Sequence, residues 1–375
     1  MHYDSIVIGL GGMGSAAAYH LAARGQRVLG LEQYTPAHAN GSSHGHSRII
    51  RQAYMEHPSY VPLLKRAFTL WDALAAESHE DLLHLTGGIM IGHPDSDVIK
   101  GTLASVREHQ LPHEILDAAT LRRRYPALTP TDDIVAVAER NAGYVVPEAA
   151  IRTHLRLADA HGAVLRFGET VQQWQALPTG GVRVTTNLAQ YSADHLVITP
   201  GAWAPQLLAA MGLPLRVERR VLLWFEPIGG YAPFQEPHFP IYIWDCGAGV
   251  SFYGFPAQPG VRGIKVAIHT VGDACTPTSI DRALRDADVQ SLQALLHGRI
   301  PALCGPMVQY DTCMYTLTPD EHFVIAVHPE HPQVVVASPC SGHGFKFTPV
   351  IGEILADLTI TGQTAHDISL FALRF

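Results

Sequence analysis

Charge is scarce in this 375-residue chain, at 16% of residues, and no Lys or Arg run stands out that could neutralise a phosphate backbone. With 34 acidic against 26 basic residues the formal net charge is −8, which excludes nucleic acid as a natural partner. Cysteine is equally sparse. Cys246, Cys275, Cys304, Cys313 and Cys340 are odd in number and show no C-x-x-C spacing, so reduced thiols are expected rather than a disulfide framework. Histidines are plentiful at 22, yet no H-E-x-x-H or comparable ligand spacing appears, and no metal site is expected. No apolar run is long enough to span a bilayer, since Pro200, Gly201 and Pro205 interrupt the stretch from Leu196 to Leu213. The apolar first 24 residues lack a positive leading segment and carry Asp4 before the run, which reads as strand, turn and helix rather than a signal peptide. A soluble, cytoplasmic protein without a membrane partner is expected.

What is present is a large reserve of core-forming side chains, 47% hydrophobic, enough for two domains or one large one. Ser5 to Ile8 is a short β-branched run that enters Gly9-Leu10-Gly11-Gly12-Met13-Gly14, an alanine-rich helix from Ser15 to Arg24 closed by Gly25, and a second strand from Arg27 to Glu32. Asn40 to Tyr60 has no clear period and holds the polar cluster His44, His46, Arg48 and Arg51. Leu63, Leu64, Ala67, Leu70, Trp71 and Leu74 predict an amphipathic helix over Pro62 to Ala75. Strands are expected at Gly87 to Gly92 and Ile134 to Glu139, with a helix near Asp97 to His109 between them. Val164 to Val171 and Val182 to Thr186 alternate, and Ala193 to Thr199 reads as a buried strand. Strands then dominate at Arg220 to Glu226, Ser251 to Phe255 and Gly263 to His269. A final strand, loop and helix follow at Val334 to Ala337, Ser341 to Lys346 and Pro349 to Leu358. The pattern predicts a parallel nucleotide-binding sheet built from discontinuous pieces, with a largely antiparallel second domain inserted.

In the first βαβ unit, Gly9 permits the tight turn, Gly11 lets backbone approach a pyrophosphate, and Gly14 lets helix and strand pack closely. The helix N-terminus offers free N–H groups to the phosphates. Glu32, 18 residues after Gly14, is placed to accept from a ribose hydroxyl, and its carboxylate would repel a 2′-phosphate. By itself the motif fits FAD and NAD alike.

Three further stretches narrow the choice: Gly41-Ser42-Ser43-His44-Gly45-His46-Ser47-Arg48-Ile49-Ile50-Arg51, then Cys313-Met314-Tyr315-Thr316 leading to Pro319-Asp320-Glu321-His322-Phe323, and Ser341-Gly342-His343-Gly344-Phe345-Lys346-Phe347. Together with Gly201-Ala202-Trp203, Tyr253-Gly254-Phe255-Pro256 and Gly352-Glu353, they make the chain resemble, essentially end to end, the monomeric sarcosine oxidase and N-methyl-L-tryptophan oxidase family of FAD-dependent amine oxidases.

That resemblance implies an α/β (α+β) fold: a Rossmann-like FAD-binding domain from residues 1–85, 147–215 and 318–375, and an inserted antiparallel substrate domain from 86–146 and 216–317. It implies FAD joined through an 8α-S-cysteinyl bond to Cys313, a step that calls for a lowered thiol pKa, with Arg48 supplying the field. On composition alone Cys313 would be a buried apolar thiol, the reading kept for Cys246, Cys275 and Cys304. Gly9, Gly11, Gly14, Glu32, Ser42, Arg48, Val171, Gly201, Gly342, Gly344 and Lys346 are the further residues expected at the cofactor, with His44 and Arg48 along the flavin. Arg51 and Lys346 match the pair that holds a substrate carboxylate, a planar fork and a point cation around one anion. Lys265 and His269, four apart on one predicted strand and so on one face, match a lysine that promotes reaction with oxygen and a histidine of the substrate pocket. Tyr253 and Tyr315 are expected to line the same pocket, although Lys265 facing solvent and core roles for His269 and Tyr315 fit the pattern too.

The implied reaction transfers a hydride from a small secondary amino acid to the flavin, hydrolyses the imine, and reduces O2 to hydrogen peroxide in an enzyme expected to be a monomer. Three positions depart from the family pattern and bear on the pocket wall: His46, Ile268 and Pro339-Cys340. They leave sarcosine, N-methyltryptophan, another N-methyl amino acid or a cyclic imino acid open as substrate. From other classes, a nicotinamide-dependent dehydrogenase would share the first βαβ unit but gives Cys313 and Lys265 no task, and a flavin-binding protein without turnover would keep the fold and release no peroxide.

Overall fold

The computed structural model describes residues 2–236 and 238–374. Its first strand, His2–Ile8, turns at Gly9 (φ 84°) into the helix Gly12–Ala23 and returns as the strand Val28–Glu32. The helix starts one turn earlier than its alanines suggest, because the glycine turn itself winds into the first helical residues. Small side chains decide how this helix packs. Ala16, Ala17 and Ala18 are fully buried, and the C-terminal helix Thr348–Thr361 crosses so close that a Cβ on Gly352 would lie 2.6 Å from the Ala16 Cβ. Two backbones can approach that far only where neither carries bulk.

The described residues form an eight-stranded sheet around the first strand. His2–Ile8 pairs in parallel with Val28–Glu32 on one side and Gln190–Ile198 on the other, and the latter pairs in parallel with Val334–Ser338. The central segments are continuous apolar runs, as strands covered on both faces require. The single run expected from Val164 to Val171 is instead two strands, Val164–Phe167 and Val171–Ala176, parted by Gly168 in the left-handed region (φ 70°). The first pairs in parallel with Val28–Glu32, whereas the second turns back into an antiparallel hairpin.

A nine-stranded sheet gathers the middle of the chain and is antiparallel apart from Ile241–Asp245 beside Gly88–Gly92. Its longest pairing joins Arg216–Phe225 to Met307–Leu317 and sets Arg220 opposite Cys313. The strand expected from Arg220 thus begins four residues earlier. A third sheet was not expected. Within the aperiodic polar segment, Arg48–Arg51 forms a strand that pairs with Ala142–Val145, which in turn pairs with Leu83–His84. Four residues hold too little periodicity to reveal a strand whose partner lies almost a hundred residues away. Among the described residues no helix is long and apolar enough to cross a membrane, and no three His, Cys, Asp or Glu side chains gather so as to hold a metal ion.

Candidate active site

A cleft of about 480 Å³ runs from the Gly9–Met13 turn to Arg51, His269 and Lys346. The nucleotide end is shaped by missing side chains. A Cβ on Gly9 would lie 2.6 Å from the Thr199 carbonyl oxygen, whereas Gly11 has nothing within 4 Å and presents bare backbone to the cleft. Gly14 does not line the cleft as expected of a cofactor ligand. It is the packing glycine, where a Cβ would come within 1.8 Å of the Gly9 carbonyl oxygen. Glu32, buried at the end of the second strand, accepts from the Leu10 N–H at 2.9 Å and the Tyr34 N–H at 3.0 Å. Its carboxylate therefore fixes the glycine turn and also borders the cleft. Ser42, Val171 and Gly201 line the same wall. Bare backbone at a helix start, a buried acid at the next strand end and one continuous cleft fit a dinucleotide whose redox-active end lies toward the second sheet.

At the other end, Arg51 comes from the short Arg48–Arg51 strand and is 1% exposed. Its Nη2 donates to both carboxylate oxygens of Glu56 at 2.9 and 2.7 Å, its Nη1 donates to the Ala53 carbonyl at 3.0 Å, and the guanidinium lies over the Tyr54 ring at 4.3 Å. Burial pushes the Glu56 carboxyl up, but Arg51, then His343 and Lys346, overcome that and hold it down to about 2. Glu56 therefore occupies the guanidinium face expected to take a substrate carboxylate, and it was not anticipated. Its one signal was an acid five residues beyond Arg51 in the same polar segment.

Lys346 sits in the 3-10 turn Phe345–Phe347 at the head of the last helix and donates to the His343 carbonyl at 2.6 Å and to the Tyr54 hydroxyl at 3.4 Å. Burial, then Arg51, pushes its ammonium down to about 7, with Glu56 opposing. His343 and Tyr54 are likewise new to the site. The His343 Nε2 faces the Glu321 carbonyl at 3.0 Å, which can only accept, so Nδ1 is the ring's acceptor and takes the Tyr54 O–H at 2.6 Å. His269 lines the cleft, 3.4 Å from the Tyr315 hydroxyl through Nδ1 and edge-on to Tyr253. Burial first, with Arg220 adding to it, takes its imidazole down to about 4, so it is neutral at physiological pH. Tyr253 and Tyr315 border the same space, and burial pushes both phenols up. Gly342 (φ 79°) and Gly344 complete this wall, the first because a Cβ would strike Tyr315 at 2.5 Å.

The expected site residues do not all reach the cleft wall. His269 lies one residue past the strand Ile264–Ile268 and lines the cleft, whereas Lys265 does not. The Lys265 Nζ donates instead to the carbonyls of Gly45 and Ser47 at 2.6 and 2.9 Å, and burial, then Arg48, pushes its ammonium well down. His44 turns away from the cleft toward Asp311, at 2.8 Å from Nδ1. Arg48 lines the cleft, donates to the carbonyls of Ser42 and Ser47, and forms no ion pair among the described residues. Cys313 directly precedes the cleft-lining Met314, Tyr315 and Thr316 without lining the cleft itself, and its thiol is raised rather than lowered: burial outweighs the opposing fields of Arg48 and Lys265. Of the three departures from the family pattern, only Pro339-Cys340 lines the cleft. Ile268 packs against the core of the nine-stranded sheet, and His46 is exposed near Gln309.

The chain matches the DAO family, FAD-dependent oxidoreductases, over residues 4–358. It is 52% identical over 374 residues, 99% of this chain and 97% of the relative, to the monomeric sarcosine oxidase of Streptomyces avermitilis. It is 35% identical over 380 residues, 100% and 99% of the two chains, to the N-methyl-L-tryptophan oxidase of Yersinia pestis. Among solved structures, NikD, an unusual amino acid oxidase essential for nikkomycin biosynthesis, superposes with a TM-score of 0.86 at 27% identity, covering 100% of this chain and 98% of that one. With its dinucleotide turn, its buried cations and these relatives, the chain belongs to the FAD-dependent oxidoreductases and, within them, to the monomeric sarcosine oxidase and N-methyltryptophan oxidase group.

Proposed function

We propose that this FAD-dependent enzyme oxidises a small secondary amino acid of the sarcosine type and holds its flavin covalently through Cys313. The observation that carries the substrate reading is a pair of buried cations, Arg51 and Lys346, at the end of the cleft remote from the dinucleotide turn. Two such charges leave water only where anions compensate them; Glu56 compensates one, and a substrate carboxylate is the anion that would compensate the other. Around them stand Met55, Ile243 and Tyr253, apolar surface against which a small side chain or N-methyl group packs. Two relatives carry N-methylated substrates in their names, in line with this pocket.

Bound FAD supplies the two-electron acceptor that O2 restores with release of hydrogen peroxide. This chain's residues supply the rest. Arg51 exchanges Glu56 for the substrate carboxylate, and Lys346 adds an N–H from its protonated form. His269, held neutral, accepts or donates at the substrate amine without adding a second cation, and the buried phenols of Tyr253 and Tyr315 exclude water from the reacting carbon. With sarcosine the products are glycine, formaldehyde and hydrogen peroxide.

Support for the covalent bond is placement. Cys313 directly precedes three cleft-lining residues and lies in the fields of Arg48 and Lys265, both of which favour its thiolate against burial. Support for a division into cofactor and substrate domains is that the eight-stranded sheet draws only on residues 1–85, 147–215 and 318–375, and the nine-stranded sheet only on 86–146 and 216–317.

Acid precipitation of the purified holoenzyme tests the attachment. The yellow colour is expected in the pellet of the wild type and in the supernatant of Cys313→Ala. Colour released from both would sink the covalent reading. A peroxide-release screen of sarcosine, N-methyltryptophan and proline then sets the substrate, and silence with every amine would sink the catalytic one.

A further inference from the structure

His269 and Tyr315 form one wall of the proposed substrate pocket, and while the Tyr315 backbone is paired opposite Glu218 within Met307–Leu317, His269 has run past the end of its strand. His269 lies just past the end of Ile264–Ile268, where its N–H still donates to the Ser251 carbonyl at 2.8 Å but its own carbonyl has left the ladder. That carbonyl is taken by Arg220, whose Nε donates to it at 3.1 Å from the neighbouring strand. The same guanidinium lies 4.7 Å from the centroid of the Tyr315 ring, and the Tyr315 hydroxyl stands 3.4 Å from the His269 Nδ1. On the opposite side the pair is closed by Gly342, where a Cβ would come within 2.5 Å of the Tyr315 ring and 3.2 Å of the His269 ring.

Arg220 does not line the cleft and is 3% exposed. Its charge is met by Glu218 at 2.7 Å, two residues earlier and so on the same face of the strand. Its remaining donor, Nη1, reaches the Arg219 carbonyl at 3.3 Å. The guanidinium fits there because residue 272 has no side chain. A Cβ on Gly272 would lie 1.4 Å from Arg220 Nη1 and 2.5 Å from the Arg219 carbonyl oxygen. Gly272 is outside the left-handed region, so its glycine answers to space rather than to backbone conformation.

We propose that Arg220 is a positioning residue that, from behind the pocket and in the room left by Gly272, holds the His269 backbone and the Tyr315 ring in their working places. The inference rests on the amino-acid oxidase reading above, but its test does not depend on it alone. Lys at this position keeps the charge and loses the planar fork that bonds a carbonyl while covering a ring. Removing the charge outright would leave half-buried Glu218 with only the exposed Arg216 as its partner among the described residues, so the neutral variant is the double replacement Glu218→Gln/Arg220→Met. Gly272→Ala keeps Arg220 and takes away its space.

All three are measured as holoenzymes of known flavin content. The expected result is a fall in kcat/KM for sarcosine of about tenfold, since ångström-scale misplacement of a pocket wall has effects of that order or larger. In a His269→Asn background the same changes should cost less than about twofold, because the wall they align has already been altered. Equal losses in both backgrounds would overturn the proposal, as would undiminished kcat/KM in all three. The ring ¹⁵N resonances of His269, identified by their absence in His269→Asn, give a readout that needs no turnover. They should move in R220K and in Gly272→Ala, and resonances that stay in place would refute the positioning role even if sarcosine proves not to be a substrate.

Discussion

The two ends of the cleft are built by opposite means. At the dinucleotide end the protein works by subtraction: Gly9, Gly11 and Gly14 remove side chains so that backbone can approach backbone or ligand, and one acid, Glu32, is spent on holding the turn. At the substrate end it works by addition, packing Arg51, Glu56, His269, His343 and Lys346 into space where burial pushes His269, His343 and Lys346 down and mutual attraction overrides burial for Arg51 and Glu56. The first end is rigid because steric clashes are steep. The second is held by charge pairing instead, and Glu56 on Arg51 is one such partnership. A site that must grip one cofactor permanently and release a product at every turnover benefits from that division.

The comparison predicts its sharpest break at Gly14. An alanine there places Cβ 1.8 Å from the Gly9 carbonyl oxygen, so strand and helix must separate. A loss of about 3 kcal/mol of stability is expected, together with most of the bound flavin, read by Tm and by absorbance. Full flavin content in Gly14→Ala would show that steric clashes do not hold this end.

Next in size is Lys346→Met, which removes a charged donor from the carboxylate site and should lower kcat/KM by about tenfold to a hundredfold. It also tests the electrostatics. With its ammonium pushed down to about 7, Lys346 is charged below that pH and neutral above it. Binding of a small carboxylate that cannot be oxidised, such as acetate, should therefore weaken as pH rises through the neutral range, with the bound anion itself moving the midpoint upward. The wild type should lose affinity across that window and Lys346→Met should not; parallel profiles would mean that burial does not govern this group.

The smallest expected effect is that of Glu56→Gln. It leaves the shape of the site and removes the internal carboxylate competing for Arg51, so KM should fall by about threefold at pH 6. The gain should shrink above neutrality, because Glu56 also helps keep Lys346 protonated. A rise in KM at pH 6 would instead make Glu56 a contact for the substrate amine.

The same contrast governs what could be read in advance. The dinucleotide end is local: turn, helix and acid lie within 32 residues, and each has a residue-type requirement that shows in the letters. Arg51 and Lys346 were legible through motifs shared with a family, but their partners were not. Glu56 lies in a segment without period, and the roles of Tyr54 and His343 depend on a ring tautomer set by the Glu321 carbonyl. Strand phase held for Lys265 and His269, which face the same side as Ala267, Tyr253 and Cys313, but phase does not tell how far a side chain reaches, and Lys265 is taken up by the carbonyls of Gly45 and Ser47. Cys313 was expected to carry a lowered thiol from its cationic neighbours. They are present, and burial still outweighs them.

By itself, then, the sequence determined the elements whose signals are near neighbours: the glycine turn, the buried parallel strands and the amphipathic helices. Tertiary structure alone decided which charges face one another and at what protonation, that Arg48–Arg51 is a strand at all, and that Arg220 reaches His269 and Tyr315 through the space at Gly272. Residue-type requirements such as a bare glycine or an alternating strand show in neighbouring letters, whereas desolvation and charge pairing depend on which distant segments the fold brings to the same few ångströms.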